Sequence, residues 1–518
     1  MSPSRRDFLK FVVAGSATGC PIDLSVLADP ERVVMVDAAQ RGAAPRVDGE
    51  HNEVCHEVRD GHAFARPPVS KRHDVVIVGG GVSGLSAAYF LQQHDFFLLE
   101  KEPHWGGNAY LEEYEGQAFA TGSAFDIKGS ASEQLARAIG LTLLPIDSPD
   151  PTIVGGKWVK DTWREGLDEL PYPTSVRESF KKFRKEMLGL DIEKNPQQFD
   201  SVPLSKYLGG YAPEIQEWWD AYGPSNWGAK SSDASALVAI SELKEMASPK
   251  ADARVTLPGG NGALSRRLAQ RLEAKHKEQM SAGATIIAVE PQKEEVRITY
   301  VQEGQLRAAA AKFVVMATPK FITVRIVTGL SAGQSRAMKS FRYCPYPVIN
   351  MIFDGPLYNR AYDTWCPGKA FTDFIVADWV LQKQPGYHQR KNILTFYTPI
   401  PELDRWKLLA EEGCRQIAVD VLRDFQALLP EFNVHPIEIR LYRRGHPMFL
   451  PTPGTFTKQI PAASRPLERI FFANTDSMGP VSEITGAVQA SRRAAEWVEA
   501  RMAGASLSAA GESAAFTK

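Results

Sequence analysis

The chain has 518 residues, enough for two or three domains around a large core. With 60 Lys and Arg against 61 Asp and Glu, its net charge of -1 gives no bulk electrostatic reason to expect nucleic acid or an anionic membrane as a partner. The five cysteines, Cys20, Cys55, Cys344, Cys366 and Cys414, show no C-x-x-C or zinc spacing, which excludes a disulfide framework and leaves at most a single pair open.

The chain begins with Ser4-Arg5-Arg6-Asp7-Phe8-Leu9-Lys10 and a mildly apolar stretch to Gly19. This pattern fits a twin-arginine export signal, and the apolar stretch is too short to span a bilayer. It predicts a periplasmic or other extracytoplasmic location, with the twin-arginine translocase as a transient partner. Ala17-Thr18-Gly19-Cys20 is also similar to a lipoprotein cleavage box, with Ala17 where leucine is usual, so Cys20 is a candidate lipid anchor. Residues 21–73 then form an arm. It holds His51, Cys55, His56 and His62 and ends in Phe64 to Arg72, an extended linker.

Val75 to Val78 is a short apolar run of β-branched residues, the signature of a buried parallel strand. Gly79, Gly81 and Gly84 follow as G-x-G-x-x-G, with Ser83 among them, and Leu85 to Leu91 reads as a helix. Gly79 permits the tight turn, Gly81 lets backbone approach a diphosphate, and Gly84 lets the helix pack closely on the sheet. The diphosphate is expected on the helix N-terminus, where free N–H groups and the helix dipole favour negative charge. A second apolar run ends at Glu100, beside Lys101, where an acid can hydrogen-bond an adenosine ribose. Strand, glycines, helix and terminal acid together predict a dinucleotide site.

Gly106-Gly107-Asn108-Ala109 comes next. The segment from Glu100 resembles the E-x-x-x-x-x-G-G-[RHN]-A motif of the FAD-dependent amine oxidase and phytoene desaturase superfamily. The resemblance implies FAD, with Gly106 and Gly107 close to its diphosphate. Further along, Tyr110 to Phe125 reads as a hairpin turning at Glu115-Gly116, and Thr152 to Val159 as another turning at Gly155-Gly156. Thr174 to Leu188 is an amphipathic helix, and Trp218, Trp219, Tyr222 and Trp227 form an aromatic cluster expected mainly in a core.

Leu257-Pro258-Gly259-Gly260 resembles the family segment that leads back to the FAD domain, and Ala284 to Val289 the strand whose backbone, at Val289, meets adenine. Val348 is aligned with the family's flavin-N5 lysine, a departure from the pattern on which the family's water site and its fast reaction with oxygen rest. The C-terminal stretch Arg469 to Asp476, then Gly486-Ala487, resembles the last FAD motif. It implies Asp476 as the acid on the ribityl or diphosphate groups, although Thr475 stands where the acid is usual. Gly486 and Ala487 are expected at a helix start facing the flavin C2 carbonyl. No histidine or cysteine lies in the segments expected to face the ring, so a non-covalent flavin is expected.

These readings combine into an α/β chain. A Rossmann-type (GR2-like) FAD-binding domain, discontinuous over 74–125, 250–325 and 468–505, carries an inserted α+β substrate domain over 126–249 and 326–467, with a disordered tail from 506 to 518. The expected function is an exported FAD-dependent oxidoreductase taking hydride from a small organic substrate, an amine first, and passing electrons to an unidentified acceptor. The alternatives are a desaturase or isomerase of an apolar substrate and a non-enzymatic flavoprotein. Catalytic residues are not assigned. Glu53 to Gly61, ahead of the FAD motif, resembles bacterial spermidine dehydrogenases, a group with haem b in this region. That resemblance implies His56 as a ligand of a b-type haem, since histidine is a common axial ligand and no C-x-x-C-H is present.

Overall fold

The computed structural model describes residues 44–49, 51–248, 253–432 and 435–505. The twin-arginine segment, Cys20, the arm before residue 44 and the tail lie outside the described residues. Among the described residues, no helix is long and apolar enough to cross a membrane, and Cys344, Cys366 and Cys414 are buried free thiols.

Two large sheets organise the molecule. The first is a seven-stranded, mixed sheet centred on strand Val69–Val78, flanked in parallel by Phe96–Leu99 and by Gln305–Met316. Val75, Val76, Ile77 and Val78 are fully buried, as their unbroken apolar run requires of a strand covered on both faces. The long strand Gln305–Met316 serves two partners along its other edge. Its first half pairs with Val296–Gln302 through a turn at Glu303-Gly304, and its second half pairs in parallel with Ile470–Phe472. Helices Val82–Phe90, Gly262–His276 and Ile484–Met502 close one face. This is the Rossmann-type half.

The second sheet has eight strands, in the spatial order 46–49, 438–443, 348–354, 391–397, 373–376, 363–365, 151–154 and 157–160. Helix Glu411–Leu428 covers one side through Cys414, Ala418, Val421 and Phe425. Helices Thr174–Leu188, Pro213–Trp227 and Ala236–Met246 form an aromatic core beside it, with Trp163, Phe180, Phe183, Trp219 and Trp227 buried.

Two features of the arm differ from the extended linker expected. Its last part is already sheet, because the central strand starts at Val69 and residues 69–73 pair with Ala308–Ala311. Arg46–Gly49 adds a parallel strand to the other sheet, on Arg440–Arg443. Helix Glu53–Arg59 then lies against strand Ala284–Pro291 and helix Lys320–Ile326. The arm therefore touches both halves.

Candidate active site

One cavity of about 1750 Å³ runs between the two halves. Small-molecule pockets usually hold about 300–1,000 Å³, so it has room for a dinucleotide and a substrate together.

Its nucleotide end is built of backbone. Gly79 turns out of the central strand at φ 104° and donates its N–H to Leu99 O at 2.8 Å. Gly84 does not line the cavity. A Cβ there would lie 1.7 Å from Gly79 O, so helix and turn are in direct backbone contact. Gly81 faces Gly106 and Gly107 across a groove, and a Cβ on it would meet nothing nearer than 3.8 Å. Gly106 donates to Gly80 O at 2.9 Å and holds the second turn against the first. Ser83, Lys101 and Asn108 complete this wall. Asn108 donates to Pro447 O at 3.0 Å and accepts from Arg444 at 3.2 Å, and Arg444 also donates to Gly107 O. A groove between glycine turns at a helix N-terminus is a cradle that any Cβ would fill, and it fits a diphosphate.

Glu100 is buried at the end of its strand, and burial pushes its carboxyl pKa up. One oxygen accepts from Gly80 N at 2.5 Å, the other from Glu102 N at 2.8 Å. Glu100→Ala is expected to weaken FAD binding by about 1–3 kcal/mol, the scale of a hydrogen bond to a charged group. Titration of the apoprotein with FAD measures it; unchanged affinity removes Glu100 from the ribose site.

Three implied contacts fall elsewhere. Val289 is fully buried off the cavity. Its carbonyl accepts from Thr328 N, and Thr285 and Ile286, earlier in the same strand, are the residues lining the cavity. Asp476 also points away. Its carboxylate takes Lys320 N at 2.7 Å, Lys320 Nζ at 3.2 Å and the Tyr343 hydroxyl at 2.7 Å, while Asn474 and Thr475 face the cavity. Gly486 packs on Met478 O, whereas Ala487 lines the cavity with Ile484 and Thr485 from the same helix start. Histidines do line this space, namely His56, His104 and His446. His446 comes in from the 440s, a segment without a motif.

Val348 lines the cavity at the middle of the second sheet. Lys101, at the nucleotide end, is the one lysine lining it among the described residues.

The opposite end is acidic. Asp126, Asp150, Asp161, Glu242, Glu245, Asp363, Asp373 and Glu483 all line it. Two arginines stand among them, each on an acid: Arg254 on Asp150 at 3.2 Å and Arg164 on Asp161 at 3.1 Å. Burial is the first cause that raises Glu242, Glu483 and Asp373, each to about 7, and neighbouring carboxylates add to it. Trp218, Tyr222 and Trp227 reach the cavity from the aromatic core, and Tyr222 donates to Glu242 at 2.7 Å. No spacing in the sequence announces this chamber. Its acids are spread from residue 126 to 483 and meet only in the fold.

The raised carboxyls imply a pH effect with a definite sign. Glu242 sits near 7 folded and near its ordinary value of about 4.3 unfolded. Its contribution to stability is full below about 4.3 and is lost as pH rises through 7. In the ligand-free protein, Glu242→Gln is expected to reduce the fall in unfolding free energy between pH 5 and 8 by on the order of 1–3 kcal/mol. Urea titrations at several pH values test this; parallel curves for the two proteins contradict it.

Comparison with known proteins places these features. The sequence model described as flavin containing amine oxidoreductase matches residues 82–498. Oxidoreductase PigB of Serratia sp. (strain ATCC 39006) is 23% identical, over 84% of this chain and 76% of that protein. Among solved structures, cyclohexylamine oxidase from Brevibacterium oxydans IH-35A superposes with a TM-score of 0.66 at 16% identity, covering 83% of this chain and 99% of that one. Wild-type putrescine oxidase bound to putrescine gives 0.65 at 17%, covering 84% and 100%. These two likenesses are of fold.

Proposed function

This chain belongs to the family of flavin-containing amine oxidoreductases and is an FAD-dependent oxidoreductase, and from that premise we propose that its substrate is an amine bound as a cation. The observation that carries the reading is the acidic end of the cavity. Bound FAD supplies the chemistry by accepting a hydride equivalent. The chain's own residues attract the ammonium, hold it against buried carboxylates and exclude water. Carboxyls near 7, such as Asp373 and Glu242, suit the proton that the ammonium sheds before its carbon is oxidised. An apolar alkene has nothing to offer eight carboxyl groups, which weighs against a desaturase or isomerase. Anaerobic mixing of the holoenzyme with alkylamines and with alkenes decides: amines are expected to bleach the flavin band. Bleaching by alkenes alone overturns the proposal.

The enzyme acts outside the cytoplasm in this reading, delivered by Arg5 and Arg6. Arg5→Lys with Arg6→Lys keeps the charge and should leave the protein in the cytoplasm, as cell fractionation shows. Envelope location of the double variant removes the export proposal.

Electrons then need an exit, and a b-type haem held by His56, as in the spermidine dehydrogenases that this segment resembles, would supply one. Of the arm's histidines, His51 is held by Glu102 at 2.6 Å and His62 lies against Phe64, whereas His56 lines the cavity. Phe321, Ile322, Trp406 and Leu409 share that mouth with His446. Burial lowers the pKa of both Arg325 and Arg405 there, and Arg59 adds repulsion on Arg325. Arg405 pairs with Glu402 at 3.7 Å and Arg325 donates to Phe321 O, and apolar walls beside two arginines suit a flat ligand carrying carboxylates. A Soret band in protein produced with haem, lost in His56→Ala, supports the assignment; no band, or an unchanged one, removes it.

A further inference from the structure

The most exposed large apolar side chains among the described residues gather on one element. Leu403, Trp406 and Leu409 are exposed at 91%, 63% and 69%, and all three belong to the 3-10 helix Glu402–Leu409. Such a helix turns every three residues, so side chains at i, i+3 and i+6 stand one above another. The three therefore form a single ridge, while Leu408 is buried in the same core as Phe425. A surface helix ordinarily turns its charges outward. Here Glu402, Asp404, Arg405 and Lys407 are half-buried and paired. Glu402 holds Arg342 at 2.9 Å and Arg405 at 3.7 Å, and Asp404 holds Lys407 at 2.9 Å. Trp406 and Leu409 also line the cavity, at the mouth they share with His56 and His446.

A contiguous apolar ridge in water marks a contact surface, and area and charge decide what covers it. An interface between two folded copies takes about 800 Å² from each partner, and three side chains supply only on the order of 400 Å². The helix's own two acids and two bases cancel, so the ridge offers no net charge to an ionic partner. A neutral strip of one indole and two leucines matches the layer between lipid headgroups and acyl chains, where tryptophan concentrates. The arm enters the fold at the same place. Arg405 Nε donates to Gly445 O at 2.9 Å, just past the strand Glu438–Arg443 on which Arg46–Gly49 lies. The stretch from Cys20 to residue 44 reaches up to about 3.3–3.6 Å per residue, enough for a lipid on Cys20 to meet the same surface. We propose that Leu403, Trp406 and Leu409 are a membrane-docking surface that sinks into a lipid bilayer of either headgroup charge. The cavity mouth at His56 and His446 then faces the lipid, and a molecule dissolved there reaches it without crossing bulk water.

The test is flotation of the holoenzyme carrying Cys20→Ser, which removes any lipid anchor, with vesicles. One set is phosphatidylcholine alone, the other phosphatidylcholine with phosphatidylglycerol. Both sets are expected to carry the protein equally, and high salt should not release it, since no net charge is engaged. Combining Leu403→Ser, Trp406→Ser and Leu409→Ser should lower the vesicle-bound fraction by at least about tenfold, because the apolar area that drives insertion is gone. Leu403→Glu, at a position outside the cavity lining, should act in the same direction and so separates the ridge from the mouth. All three side chains are exposed, so the variants should unfold in urea as the parent does. No flotation of the parent, flotation with the anionic lipid alone, or undiminished flotation of the ridge variants overturns the proposal. A dimer that the ridge variants abolish, in a parent that does not float, assigns the ridge to a second copy and overturns it too.

Discussion

Replacing Gly81 by valine is expected to yield a folded protein that binds no FAD. Gly81 has φ -71° and ψ -174°, extended backbone that any residue adopts, and a Cβ there would lie 3.8 Å from its nearest neighbour, Gly107 Cα. Neither the backbone conformation nor the Cβ thus strains the chain itself. What it fills is the groove between Gly81 and Gly106-Gly107, where a diphosphate must approach backbone. Gly84→Ala, three residues on, is expected to do the opposite kind of damage. Its Cβ would lie 1.7 Å from Gly79 O, and helix and turn must separate at a cost of at least about 3 kcal/mol. Flavin absorbance and urea unfolding measured on both variants separate the two effects. Full flavin occupancy in Gly81→Val would mean that the groove is not the diphosphate site.

Asp476→Ala is expected to destabilise the protein by about 3–5 kcal/mol, the cost of stranding a buried charge. Lys320 and Asp476 are an ion pair with side-chain exposures of 0% and 1%. Removing the carboxylate leaves the Lys320 ammonium and backbone N–H, and the Tyr343 hydroxyl, without that acceptor. The pair ties the helix after Pro319 to the turn after strand Ile470–Phe472, and Thr318 and Thr475 on those segments line the cavity. Unfolding of the apoprotein isolates the effect from cofactor binding. A variant of unchanged stability that has lost FAD affinity would return Asp476 to the cofactor.

The contrast between these residues shows how far sequence reaches. The G-x-G-x-x-G turn, its strand and Glu100 were legible because their chemistry is local. Each residue acts within a single strand–turn–helix unit, and spacing along the chain is spacing in space. The hairpin at Glu115-Gly116 was legible for the same reason, as was helix Thr174–Leu188, whose apolar face follows the helical period. Asp476 was misread because two acceptor-bearing side chains are adjacent there, and only the short turn Thr475–Ser477 decides which one looks inward. Val289 was misplaced because the apolar run Ala284 to Val289 carries no mark of which residue reaches the cavity. The acidic chamber was invisible because its members come from both halves and from loops with no periodicity of their own.

The short strand Arg46–Gly49 carries a further consequence. It is the edge strand of one sheet, seated so closely that a Cβ on Gly49 would lie 2.7 Å from Arg443 O, and the chain that continues from it crosses to the other half. Asp48, Gly49, Asn52, Cys55 and His56 line the cavity along the way. The arm thus forms part of the cavity wall. A cofactor held behind it is expected to leave only after Arg46–Gly49 peels from Arg440–Arg443, so its retention is expected to read out as a slow release rate.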